Sequence, residues 1–138
     1  MKENSLKKDL ILKKRESIAQ ALKKGKRFQR GCIRLIIFPC AEKSELKIAF
    51  LVSKKLGRKA VLRNKTKRWM KEVFRISRKY FPRGTHIIMT PVVRYERLDY
   101  DSVLKDFSEV VKSEEFARFV NTIISENNIP VQNDKMSV

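Results

Sequence analysis

Apolar positions along the chain switch between a helical and a strand-like spacing, and the switches mark out its elements. From Lys14 to Lys24, Ile18, Ala19, Ala21 and Leu22 fall at helical spacing and Gly25 supplies a stop, which predicts a short first helix. Residues 31–39 (Gly-Cys-Ile-Arg-Leu-Ile-Ile-Phe-Pro) are rich in β-branched and aromatic side chains and read as a strand. Residues 41–45 form a charged turn, and Leu46 to Val52 is expected to return as the second strand of a hairpin. Gly57 then breaks the pattern. Residues 60–80 place Leu62, Thr66, Trp69, Met70, Val73, Ser77 and Tyr80 in one stripe at i, i+3, i+4 and i+7 steps, which predicts a long helix. Pro82-Arg83-Gly84 ends it, and 85–93 reads as a strand with Pro91 at its end or at an edge. Asp99 is an N-cap for a helix with Tyr100, Val103, Leu104, Phe107, Val110 and Val111 on one face. Ser113, followed by Glu114 and Glu115, opens an additional C-terminal helix over 113–126 that carries Phe116, Phe119, Val120, Ile123 and Ile124. Residues 1–11 and 127–138 are polar and are expected to be flexible tails. The sum is an α+β single domain, a sheet packed by helices; 138 residues leave little room for two cores.

Charge changes the picture from fold to function. The chain carries 33 Lys+Arg against 15 Asp+Glu, a net of +18, yet 42% of its residues are apolar, too many for a disordered basic tail. The charge is segregated: residues 1–94 hold 28 basic and 6 acidic residues, whereas 95–138 hold 5 and 9. The densest run, 54–79, has 12 basic residues opposed only by Glu72. Within the long helix, Arg63, Lys67 and Lys71 stack at i, i+4 and i+8 beside the apolar stripe. Like charges at that spacing weaken a helix by a few tenths of a kcal/mol per pair. Solubility does not require such segregation, and a polyanion is the expected partner.

Other chemistries find little support. No apolar run approaches the ~20 residues of a membrane span. No apolar stretch follows the first basic residues, so no signal peptide is expected and a cytoplasmic location follows. Cys32 and Cys40 lie on one strand, about 26 Å apart at ~3.3 Å per residue, too far for a disulfide. His86 has no Cys or Asp at metal-ligand spacing, so no protein metal site is expected. No catalytic triad or carboxylate pair stands out.

The segment from Val52 to Arg75 carries Ser53-Lys54-Lys55 and then Ala60-Val61-Leu62-Arg63-Asn64-Lys65-Thr66-Lys67-Arg68-Trp69-Met70-Lys71-Glu72. It resembles the signature of the bacterial ribonuclease P protein subunit. In that family a strand ends in Ser-Lys-Lys, and a helix then bears Ala-x-x-Arg-Asn-Arg-x-x-Arg-x-x-(Arg/Lys)-Glu or close variants. Arg63, Asn64, Lys67, Arg68, Lys71 and Glu72 match by position. Lys65 stands where the family has Arg, keeping the charge without the bidentate fork. The resemblance spans 12–112. It implies a fold similar to the second domain of ribosomal protein S5, with a left-handed β-α-β crossover through the basic helix. It also implies a holoenzyme, an endoribonuclease whose catalytic RNA uses Mg²⁺ to remove the 5′ leader of precursor tRNA while the protein supplies no catalytic side chain. The RNA-binding residues carried over are Lys54, Lys55, Arg58, Lys59, Arg63, Asn64, Lys65, Lys67, Arg68, Lys71 and Arg75. A leader cleft between the first helix and the sheet would involve Lys14, Ile18, Leu22, Arg27, Phe28, Arg34 and Ile36. Ile18, Leu22, Ile33 and Ile36 are either cleft or core residues. Aromatics common at this cleft in the family are replaced here by aliphatics, with Phe28 the nearby aromatic.

A ribosomal RNA binder without enzymatic partners would share the composition; only the spaced Arg63-to-Glu72 set separates the two. A duplex-DNA reader is disfavoured, because Asn64 is the one typical base-reading amide in the basic row. A membrane-surface helix is disfavoured because the apolar stripe is needed to cover a sheet.

Overall fold

In the computed structural model, residues 8–126 are described. They form a first helix α1 (Arg15–Lys24), strands β1 (Lys26–Arg30), β2 (Ile33–Pro39) and β3 (Leu46–Phe50), the long helix α2 (Ala60–Ser77), strand β4 (Thr85–Pro91), and helices α3 (Tyr100–Val111) and α4 (Glu114–Glu126). The expected tails at 1–7 and 127–138 lie outside the described residues. Residues 8–11 are not loose: Lys8–Leu10 is a 3-10 turn, Leu10 is buried and Ile11 bridges to Ile48.

The four strands run in the order β1-β2-β4-β3. Two expectations are corrected here. The hairpin is β1–β2, turned at Gly31, whose φ of 52° lies in the left-handed region. β3 does not pair with β2; it lies parallel to β4, which inserts between them. β4 takes the centre because Ile87, Ile88 and Met89 are fully buried, so it must be covered on both faces. α2 is the crossover joining parallel β3 to β4. β1 escaped the sequence reading because Lys-Arg-Phe-Gln-Arg offers one apolar residue, Phe28; it is a charged edge strand. α2 stops at Ser77 and tightens into a 3-10 turn over Arg78–Tyr80. Pro91 ends the central strand β4 opposite Ile33.

The sheet is buried unequally. Ile33, Leu35, Ile37, Ile48, Phe50, Ile87 and Met89 form one face, under α2, α3 and α4. Phe74, Phe81, Phe107 and Phe116 join it, with the Phe81 ring centroid 5.3 Å from Phe74, 6.0 Å from Phe107 and 5.4 Å from Phe116. Each such ring contributes roughly 1.5–3 kcal/mol by leaving water. α3 is capped by Asp99, which accepts from Ser102 N at 2.8 Å, and α4 by Ser113, which accepts from Phe116 N at 3.2 Å. The other face holds a smaller cluster, Ile36, Ala49 and Ile88 with Leu12 and Ala21, covered by α1. α1 ends close on the sheet: a Cβ at Gly25 would stand 2.6 Å from Ile36 Cγ2.

Candidate nucleic-acid interface

α2 anchors the basic surface. Thr66, Met70, Val73, Phe74 and Ser77 are buried beneath it, with Leu62 and Trp69 partly so. Asn64, Lys65 and Arg68 are exposed, while Arg63, Lys67, Lys71 and Arg75 border the core half-buried. Their stems lie along apolar surface and their charged heads can reach solvent. The expected row beside the stripe is therefore a flank of the helix. The outermost side bears Val61, 71% exposed, and Ile76, 46% exposed. Lys65 Nζ lies 5.9 Å from the Trp69 ring centroid. Glu72 takes Arg75 in a two-point pair (3.0 and 2.6 Å), which holds the Glu72 carboxyl below the usual range and the Arg75 guanidinium above its own. Arg75 meets a phosphate only in competition with Glu72.

The chain entering α2 is shaped as carefully as the helix. Lys54–Leu56 forms a 3-10 turn; Ser53 Oγ accepts from Lys55 N at 3.0 Å and Gly57 N donates to Lys54 O at 3.1 Å. Gly57 has φ 149°, and a Cβ there would meet Tyr95 Cδ2 at 2.9 Å. Tyr95, 2% exposed, donates its hydroxyl to Ser53 O at 2.6 Å. Arg63 Nη1 donates to Arg58 O at 2.8 Å. The result is an open pocket lined by Lys54, Lys55, Arg58 and Arg63. Lys59 is the exposed residue before α2. Four cations converge around one hollow, an arrangement suited to a phosphate. Tyr95 carried no sequence signal for this role, since it lies 42 positions from the carbonyl it holds.

The second surface is the α1 face of the sheet. Register places three cross-strand rows on it: Gln29–Arg34–Thr90, Arg27–Ile36–Ile88–Ala49, and Phe38–His86–Lys47. Ile36, Ile88 and Ala49 of the middle row are buried with Ala21 of α1, while Ile18 and Leu22 pack half-buried against them. Arg34 holds Gln29 Oε1 at 2.9 and 3.1 Å, Arg27 donates to Leu22 O at 3.1 Å, and Lys14 is exposed just before α1. Of the expected cleft residues Phe28 is misplaced, and Ile33, expected as either cleft or core, is core. Phe28 and Ile33 point to the opposite face; Phe28 packs 5.5 Å from Phe116 and 5.7 Å from Phe119. Ile36 is a core residue, 1% exposed. The aromatic on the α1 face is instead Phe38, half-buried, two residues along β2 from Ile36 and so on its side of the pleat.

His86, which has no Cys or Asp at metal-ligand spacing in the sequence, has side chains of metal-ligating type near it in space. Its Nε2 lies 2.8 Å from Glu45 Oε1, and Cys40 is close to both. No helix among the described residues is long and apolar enough to cross a membrane.

Residues 6–115 match the family model described as Ribonuclease P. The ribonuclease P protein component of Thermotoga maritima is 29% identical over 105 residues, covering 73% of this chain and 88% of that protein. That of Dictyoglomus turgidum is 32% identical over 94 residues, covering 67% and 77%. The structure of the Staphylococcus aureus RNase P protein superposes with a TM-score of 0.67 at 26% identity, over 76% of this chain and 94% of that one. The Thermotoga maritima protein superposes with a TM-score of 0.62 at 27% identity, over 74% and 94%.

Proposed function

The chain belongs to the ribonuclease P protein family, and from that premise we propose that it binds the catalytic RNA of the holoenzyme through α2 and the loop before it. The family's general role is tRNA processing. The observation that carries the finer reading is the pocket of Lys54, Lys55, Arg58 and Arg63, continuous in sequence with the α2 flank of Lys67 and Lys71. The α1 face, with Ile18, Leu22, Phe38 and Arg34 around its buried row, holds the single-stranded 5′ leader of precursor tRNA. An apolar floor rimmed by cations suits bases and phosphates together.

In this reading the RNA does the chemistry. Mg²⁺ demands oxygen ligands in octahedral array. Among the described residues of α2 the one carboxylate, Glu72, is engaged by Arg75, so the basic surface does not fit that ion and the RNA is assigned it. Reconstitution of the full chain with a bacterial ribonuclease P RNA tests the reading. Precursor tRNA cleavage at low Mg²⁺ should accelerate well above the rate of RNA alone; an unchanged rate refutes it.

A further inference from the structure

Three side chains of metal-binding type meet at one end of the sheet, away from α2. Cys40 follows the last residue of β2, Glu45 precedes the first residue of β3, and His86 is the second residue of β4. Their ligand atoms all lie within 4.8 Å of one another. Backbone pairing makes the meeting. Phe38 pairs with His86 and Pro39 with Thr85, Cys40 N donates to Gly84 O at 2.9 Å, and Thr85 N donates to Glu45 O at 3.1 Å. All three donors thus hang from positions the sheet already fixes, and only side chains need to turn.

We propose that Cys40, Glu45 and His86 bind one zinc-class divalent cation, with water in the fourth position. Thiolate, imidazole and carboxylate together are a tetrahedral zinc set, whereas magnesium and calcium take oxygen alone. Ligands held ~2.0–2.3 Å from zinc stand about 3.3–3.7 Å apart. The 2.8 Å Glu45–His86 contact need open by less than an ångström, and the widest separation close by about as much. Charge fits as well. A thiolate and a carboxylate neutralise the incoming +2, which a chain of net +18 would otherwise repel. On binding, the metal displaces the Cys40 thiol proton, which leaves to water. Glu45 and His86 also line a pocket shared with Lys13, Lys14, Ser17 and Lys47, through which solvent reaches the fourth position. The site is independent of the proposed RNA contacts on α2.

The test is titration of the chelator-treated full chain with Co²⁺ and then Zn²⁺. One equivalent of Co²⁺ should raise a near-ultraviolet thiolate-to-cobalt band, which Zn²⁺ removes. Zn²⁺ should also raise the melting temperature. Cys40→Ser should abolish the band, and His86→Gln or Glu45→Gln should weaken Zn²⁺ binding by about tenfold or more, since even outer-shell changes cost that much. Cys32→Ser should retain everything, and circular dichroism identifies any variant that fails to fold. The proposal is overturned if no band appears, if the band survives Cys40→Ser, if it is lost with Cys32→Ser, or if folded His86→Gln and Glu45→Gln both bind Zn²⁺ as tightly as the parent.

Discussion

Tyr95→Phe separates the shape of the basic pocket from its charge. The substitution keeps the buried ring and removes one hydroxyl, the donor to Ser53 O at 2.6 Å. A net hydrogen bond is worth ~0.5–1.5 kcal/mol, and a stranded buried carbonyl costs up to ~3. Ser53 is an exposed residue, so water can reach its carbonyl, and the lower end applies, about 1 kcal/mol. For a domain of this size that lowers the melting temperature by ~2–4 °C. The same bond pins the strand-to-helix turn that presents Lys54, Lys55 and Arg58, and Arg58 O in turn holds Arg63. Without it, the RNA must order the loop as it binds. An ordering cost near 1 kcal/mol weakens affinity by about fivefold. No cation has been removed, so the slope of log K against log salt should stay unchanged. The assays are urea unfolding followed by circular dichroism, and binding of the catalytic RNA across a salt series. Parent-like stability together with parent-like affinity would refute the clamp; a shallower salt slope would show that the hydroxyl acts through charge. Gly57→Ala should loosen the same loop from the other side, because a φ of 149° and a Cβ 2.9 Å from the Tyr95 ring both oppose it.

Removing cations should give the opposite signature. Lys67→Ala combined with Arg68→Ala should cut the salt slope of RNA binding by roughly 1.4–1.8 and leave thermal stability unchanged or slightly raised as like-charge repulsion falls; an unaltered slope places these residues outside the interface. On the α1 face, Phe38→Ala should narrow the preference for precursor over mature tRNA in the holoenzyme by a stacking loss of ~1–3 kcal/mol, with assembly retained; an undiminished preference in a folded variant sinks the leader assignment. Cys32 provides a pH test: burial first, and Asp106 beside it, push its thiol up to about 12 from 9.0. The folded state thus favours the protonated thiol, so its contribution is complete below pH 9 and is lost as pH rises from 9 toward 12. The stability difference between parent and Cys32→Ala should shift in that window and stay constant below it.

What the sequence made legible was whatever is local. The α2 stripe needs only helical periodicity, and Met70, Val73 and Ser77 are buried as the spacing requires. Asp99 and Ser113 cap α3 and α4 because an Asx or Ser side chain reaches the backbone three residues on. What was hidden depends on register. Whether β3 pairs with β2, which ends just before it, or with β4, which begins 35 residues after it, is not decided by anything in Leu46–Phe50 itself. Phe28 and Phe38 exchange roles because Lys26–Arg30 carries no strand pattern of its own; once it pairs Phe28 with Leu35, the pleat sends Phe28 to the α3–α4 core. Cys40 and His86 look unrelated for the same reason.

The acidic residues after position 94 bear on how the protein can sit on its RNA. Residues 95–126 hold eight carboxylates and four cations. Their helices lie in a row with α2 over one face of the sheet, α2 beside β3 and α3, α3 across β1 and β2, and α4 beyond it. Several of the carboxylates have structural work: Asp106 Oδ2 accepts from Cys32 N at 2.8 Å to close the β1–β2 turn, and Glu115 pairs with Arg30 of β1 at 2.6 Å. In satisfying the edge strand they also place negative charge at the opposite end of the helical row from α2. A polyanion docking on α4 would meet like charge, while one docking on α2 meets Lys65, Lys67, Arg68 and Lys71. A uniformly basic shell would attract RNA from every side. Segregation of the charge along one helical layer biases which side can face it, and leaves the α1 face, reached around the sheet, open for a second strand.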